Sequence, residues 1–168
     1  DVVELVNGDL MGRWQQERRK LDVIDRWARW DHDRPHAPRQ ATTEYKQLAA
    51  RSQAPWGDLI VGSVAQTLYV DGYRRADNPE NSKPWRTWQA NGMDGRQIAV
   101  HRAALTYGIA YGTVMPGKTL AGEVLAEMRG VSPRELVALY ADVAFDEWPE
   151  GAMRVRVVNP SKLLIYVY

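Results

Sequence analysis

The chain has 168 residues, of which 45% are apolar and 26% charged, the proportions of an ordinary globular domain with one core. The 22 basic and 21 acidic residues leave a net charge of +1, which argues against a dedicated nucleic-acid-binding protein because such proteins carry a clear basic surplus. Cysteine is absent, which excludes disulfides and cysteine-ligated metals, and no apolar run approaches the roughly 20 residues of a membrane-spanning helix.

Helical periodicity dominates the first part of the sequence. Apolar residues recur at helical spacing among charged ones, and they predict a long helix that is firmest over residues 14–30. Two prolines in residues 31–38 end it, and a second helix is predicted over 43–51. A third helix begins after Pro55, because proline is tolerated in the first helical turn. Its apolar stripe consists of Trp56, Leu59, Ile60, Val64 and Leu68.

The middle of the chain is predicted to hold a short strand, a loop and two helices. An Asp-Gly turn signal predicts a short strand over 69–74, and the polar residues 77–83 predict an exposed loop. A short helix is predicted over 84–90. A longer helix is predicted over 94–107, with Asp94 as its N-cap.

Strand signals appear in the last third of the sequence. Strands are predicted over 109–115, 153–158 and 163–168, and a turn at Pro116-Gly117 ends the first of them. Residues 120–131 carry mixed signals that fit either a strand or a helix. Because the last predicted strand stops with the chain, we expect the parent protein to continue beyond it.

A helix-start signature interrupts these strands. Ser132 is suited to cap a helix, Pro133 to its first position and Glu135 to a hydrogen bond back to the cap, so a short helix is predicted to reach about residue 141. The predicted fold class is α+β, a helical N-terminal half followed by a small, mostly antiparallel sheet with short helices. The predicted domains are an N-terminal helical segment, 1–54, and an α+β domain, 55–168.

Two groups of residues suggest metal chemistry, and each has a plainer explanation. His32 and His36 would share one face of a helix, but Pro35 lies between them and removes the helix. Carboxylates near the C-terminal end could bind Mg²⁺ in a small hydrolase or nuclease, although an exposed acidic loop is the favoured interpretation. This acidic cluster consists of Asp142, Asp146, Glu147 and Glu150.

The basic residues between Arg13 and Arg29 suggest a DNA-binding helix as a further alternative. Glu17, Asp22 and Asp25 are interleaved with them at helical spacing, which favours an ordinary salt-bridged helix face. No grouping of residues indicates a nucleophile with its base. The sequence therefore predicts a protein that is not an enzyme and that needs no cofactor or metal.

Aromatic residues suggest interfaces. Seven tryptophans are many for this length, and tryptophan is enriched at the centres of protein interfaces. Core packing is the default expectation for Trp14, Trp27 and Trp30, while two later tryptophans are expected to be more exposed. The candidates for a subunit or capsid interface are Trp85, Trp88, Arg74 and Arg75.

Four blocks of sequence stand in a recognisable order. They are LYVDGYR at 68–74, WRTWQANGMD at 85–94, HRAALTYGIAY at 101–111, and VSPRE at 131–135 with DEWP at 146–149. Together these blocks resemble the portal proteins of tailed bacteriophages, in particular of siphophages that infect actinobacteria. The resemblance covers residues 56–148 and points to the N-terminal, wing-forming portion of that family.

The resemblance implies a structural role. Portal proteins form dodecameric rings at one capsid vertex, and double-stranded DNA is packaged and ejected through the ring. The implied partners are other copies of the chain, the major capsid protein, the terminase large subunit and the head–tail adaptor protein. DNA passes through the ring without contact to this segment. The implied location is the virion, after assembly in the cytoplasm of the host bacterium.

Overall fold

The computed structural model of the chain describes residues 6–31, 36, 38–52, 55–73, 83–118, 124–140, 149–159 and 162–168. A π-helical turn, Val6–Leu10, leads directly into the first helix. The helices are α1 (Met11–Ala28), α2 (Thr43–Arg51), α3 (Trp56–Thr67), α4 (Lys83–Ala90) and α5 (Met93–Tyr107). The strands are β1 (Tyr111–Lys118), β2 (Val124–Val131), β3 (Leu136–Leu139), β4 (Gly151–Asn159) and β5 (Lys162–Val167). The predicted α+β class is confirmed.

The five helices lie close to their predicted positions, with one error at a helix start. The cap prediction for Asp94 is wrong, because α5 begins at Met93 and Asp94 lies in its first turn. Gly92 precedes the helix in a left-handed conformation, with φ of 61°, which glycine adopts without steric cost. This residue turns the chain between α4 and α5.

The strand predicted over 69–74 is also wrong within the described residues. Residues 69–73 follow α3 without joining a sheet, and Arg74 lies outside the described residues. The backbone of Val70 instead pairs with the side chain of Gln97 on α5. Most of the loop predicted over 77–83 lies outside the described residues, and Lys83 begins α4.

Strands β1 and β2 form an antiparallel hairpin. Residues 120–131 fitted either a strand or a helix in the sequence, and the described part of this range, Val124–Val131, is a strand. The predicted turn at Pro116-Gly117 is wrong, since β1 continues through both residues and pairs them with Ala126 and Leu125. A proline fits there because this two-stranded sheet has only edge strands.

The helix predicted from Ser132 is wrong, because residues 133–135 form a turn between β2 and β3. The amides of Glu135 and Leu136 donate to the Ser132 carbonyl at 2.9 and 3.2 Å, whereas the Glu135 carboxylate pairs with Arg154 and not with the predicted cap. The chain then enters β3, because Leu136 and Val137 are buried and pair with β4. Sheet pairing and burial thus override the local helix signal. The predicted helix end near residue 141 lies outside the described residues.

The core lies on both faces of the sheet β3–β4–β5, whose neighbours are all antiparallel. On one face, the N-terminal helix packs against the sheet in a cluster of Leu10, Trp14, Val137, Met153 and Val155. Alternate residues point to the other face, where Val131, Leu136, Ala138 and Ala152 are buried. The N-terminal helix therefore shares its core with the C-terminal sheet. The predicted division into 1–54 and 55–168 stays a prediction.

The hairpin packs closely under α5 at Gly130. A Cβ atom at this position would lie 2.5 Å from Cγ2 of Val100. Because a helical valine has one strongly preferred rotamer, Val100 cannot turn away at low cost. We expect Gly130→Ala to lower the free energy of unfolding by about 1–3 kcal/mol, measured by urea denaturation.

The cross-strand partner Gly112 provides the matched control for Gly130. A Cβ atom at Gly112 would meet nothing within 4 Å, so Gly112→Ala should change stability much less. Adding Val100→Ala to Gly130→Ala should recover part of the loss. Equal stability of the two single alanine variants would contradict the close packing.

Candidate functional site

A network of charged and polar side chains joins α1, α5 and the turn between β2 and β3. The carboxylate of Asp25 is buried, and it accepts hydrogen bonds from Arg134 Nη1 at 2.8 Å, Tyr107 Oη at 2.6 Å and Arg29 Nε at 3.0 Å. Arg134 also donates to Asp22 Oδ1 through Nε at 3.0 Å and Nη2 at 2.7 Å. We call Asp22, Asp25, Tyr107 and Arg134 the α1 clamp.

The ion pairs and the hydrogen bond of the α1 clamp stabilise the fold by joining α1 to α5 and to the turn before β3. Burial, together with the hydrogen bond to Asp25, raises the pKa of Tyr107 above its ordinary value, so its hydroxyl remains a donor at neutral pH. Arg134 neutralises two carboxylates that lie one helical turn apart on α1. The carbonyl of Arg134 accepts a hydrogen bond from Trp14 Nε1 at 3.3 Å, which ties the clamp to the core.

Two side-chain amides bind the backbone of neighbouring segments. Asn91 donates to the carbonyl of Ala126 at 2.8 Å and accepts from the amide of Met128 at 2.9 Å, as a neighbouring strand would. Gln97 is 1% exposed, accepts from the amide of Val70 at 2.8 Å and donates to the carbonyl of the same residue at 3.3 Å. Asn91 therefore connects the end of α4 to β2, and Gln97 connects α5 to the segment that follows α3.

The predicted interface tryptophans are held within the subunit. Trp85 and Trp88 are both half-buried and stack with ring centroids 6.3 Å apart and an interplanar angle of 14°. Trp88 Nε1 also donates to Asp94 Oδ1 at 3.2 Å. The expectation that these two are the more exposed tryptophans is wrong. Their role in an interface stays a prediction, and the other two candidates, Arg74 and Arg75, lie outside the described residues.

Among the described residues, the largest exposed aromatic side chains lie around α3. Trp27 is 62% exposed and Trp56 65%, so core packing, which holds for Trp14, is wrong for Trp27. Trp30 is 40% exposed and has φ of 65°, a conformation that a bulky residue adopts only when its surroundings impose it. A groove of about 310 Å³ lies between these three tryptophans. Its apolar walls also include Ile24, Val61 and Leu105.

Helix α3 itself is poorly covered. Its apolar side chains remain exposed, and Ala65 is its one buried residue. We define the α3 face as Trp27, Trp30, Trp56, Leu59, Ile60, Val64, Leu68 and Tyr69. The sequence contained a signal for this surface, because α3 carries a single charged residue, Asp58, and its apolar residues are not confined to one side.

The residues considered for metal chemistry are not brought together in the described part of the chain. Within it, no group of three or more His, Cys, Asp or Glu side chains could hold a metal ion. His36 and Glu150 are exposed. His32, Asp142, Asp146 and Glu147 lie outside the described residues.

The basic residues of α1 form the salt-bridged face that the sequence favoured. Lys20 pairs with Glu17 at 3.1 Å, Arg18 with Asp22 at 3.7 Å, and Arg29 with Asp25 at 3.0 Å. Part of the positive charge of this helix is therefore neutralised within the subunit. Across the described ranges, no helix combines the length and the apolar character needed to span a membrane.

The fold joins α1 to the sheet through the α1 clamp and leaves an apolar helix exposed, and the amino-acid sequence places the chain among phage portal proteins. The family model "Phage portal protein, SPP1 Gp6-like" matches residues 9–168, and the chain belongs to this family. The match confirms the resemblance of the four blocks and extends it to α1. Membership implies a structural component of the virion that assembles into a homo-oligomeric ring. No curated protein and no solved structure is significantly similar to the chain.

Proposed function

We propose that this chain is the wing-forming part of a portal subunit, and that twelve such subunits form the ring at one vertex of a tailed-phage capsid. The observation that carries the proposal is the family match, which spans residues 9–168. The exposed α3 face supports it, because a ring subunit must present apolar surface to its neighbours. The absence of a nucleophile or metal motif from the sequence supports a structural role without catalysis.

In this role, double-stranded DNA is packaged and ejected through the ring. The terminase large subunit docks on the ring during packaging, the head–tail adaptor protein takes its place afterwards, and the major capsid protein surrounds the wing. The net charge of +1 and the ion pairs along α1 support a segment that does not itself contact DNA. We expect the ring to assemble in the cytoplasm of an actinobacterial host and to function in a siphophage virion.

Electron microscopy of the full chain tests the proposal. Purified full-length protein should form closed rings in negative stain, and mass photometry should give the mass of a dodecamer. A chain that remains monomeric at high concentration and forms no ring in virions would contradict the proposal. Mg²⁺-dependent nuclease activity that is lost in Asp146→Ala would favour the enzymatic alternative instead.

A further inference from the structure

Helix α3 is apolar around most of its circumference, yet it buries one side chain. Asp58, its single charged residue, pairs with Arg102 of α5 at 2.6 Å, and Ala65 is buried. Leu59 and Ile60 are 58% and 59% exposed. A helix that is apolar on most sides is normally covered on those sides in its working environment. The α3 face is therefore expected to be covered in the assembled protein.

The size of the α3 face matches one side of a stable protein interface. Its eight large side chains are between 40% and 65% exposed. If a large side chain has an accessible surface of about 200 Å², each leaves roughly 100 Å² uncovered, and the face offers about 800 Å². Each partner in a standard interface contributes about the same area, and the largest apolar patch on a monomer is usually about 300–600 Å².

The geometry points to a second copy of this chain, the neighbouring subunit of the ring, as the partner that covers the α3 face. This inference rests on the proposed function. Permanent homo-oligomer contacts are more apolar than contacts that form and dissolve, and the contact with a packaging motor must dissolve after packaging. A ring also closes through two different surfaces on each subunit, so the α3 face should meet a different surface of the neighbour.

The first test places charges on the α3 face of the full chain. The side chains of Ile60 and Val64 are 59% and 41% exposed, so Ile60→Asp/Val64→Asp should leave the subunit folded. Burying two unpaired carboxylates in an interface is expected to weaken assembly by about 100-fold or more. We expect the wild type to form rings in mass photometry while the double variant stays monomeric with an unchanged circular dichroism spectrum.

The hairpin β1–β2 provides a matched control. Val114 and Val124 are 65% and 75% exposed and lie outside the α3 face, so Val114→Asp/Val124→Asp adds the same charge to exposed β-branched side chains elsewhere on the subunit. This variant should still form rings. Rings formed by the α3-face variant, or an equal loss of rings in both variants, would overturn the inference.

Photochemical capture tests the identity of the partner without altering the apolar side chains. Because the chain contains no cysteine, Ser63→Cys creates a single thiol on the exposed side of α3, to which a benzophenone can be attached. Irradiated rings should give covalent two-chain products whose second site lies outside α3. Products within one chain only, or adducts with capsid or adaptor protein only, would overturn the inference. Failure of the wild type to form any ring would instead contradict the proposed function.

Discussion

Replacing Trp14 by alanine is expected to lower the free energy of unfolding by about 3–5 kcal/mol, the usual cost of truncating a buried tryptophan. The ring is 8% exposed and packs with Val137 and Met153 of the sheet. Arg18 lies over the same ring at 4.9 Å, and the indole nitrogen donates to the carbonyl of Arg134. Alanine would remove these contacts together and leave a cavity between α1 and the sheet.

Urea denaturation of dissociated subunits measures this effect, with tryptophan fluorescence and circular dichroism as two signals. Trp56→Ala is the matched control, because this side chain is 65% exposed and its removal should change stability by less than about 0.5 kcal/mol. If α1 and the sheet form one cooperative unit, both signals should shift together in Trp14→Ala. An unchanged sheet transition, with loss of the N-terminal segment alone, would contradict the shared core and support a division into 1–54 and 55–168.

The helices were predictable because their signals lie within a few residues of each other. Residues 43–51 were predicted as a helix, and α2 spans Thr43–Arg51. Its start depends on Thr42, whose hydroxyl accepts a hydrogen bond from the amide of Tyr45 at 3.3 Å. Such a cap is visible in the sequence, since all of its partners are close neighbours in the chain.

The contacts that position the site were not predictable, because they join distant residues. Gln97 pairs with Val70 across 27 positions, and Arg134 pairs with Asp22 across 112. The signature at Ser132 predicts a helix, but the pairing of β3 with β4, which forms in its place, depends on residues from Gly151 onwards. Local signals carry no information about such partners.

The apolar stripe of α3 shows the same limit for surfaces. Periodicity predicts which residues of a helix share a side, and it assigned Leu59, Ile60 and Val64 to one stripe. It does not tell whether that side is covered by the same chain or by another one. In the folded subunit these three side chains are exposed, so the stripe that would normally indicate a core belongs to the surface for which we propose a role in assembly.

Replacing Arg134 by alanine is expected to lower the free energy of unfolding by about 2–3 kcal/mol. Removing one partner of a buried ion pair costs about 3–5 kcal/mol, and solvent reduces this value here because the side chains of Arg134 and Asp22 are 28% and 43% exposed. The side chain of Asp25 is 12% exposed, so its carboxylate would lose a charged partner where little water can replace it. Urea denaturation at neutral pH measures the loss.

Arg129→Ala is the matched control, because Arg129 pairs with Glu127 on the exposed hairpin, where an ion pair contributes about 0–1 kcal/mol. Arg134→Lys should recover part of the stability, since it keeps the charge but not the two-nitrogen contact with Asp22. Equal stability of the two alanine variants would show that water replaces the clamp.

The clamp and the α3 face share no residue, so we expect Arg134→Ala to unfold at a lower urea concentration and yet to form rings below its unfolding transition. Ile60→Asp/Val64→Asp should show the opposite result, a stable subunit that does not form rings. The two variants together would show that the clamp stabilises the folded subunit and that the α3 face is needed for assembly.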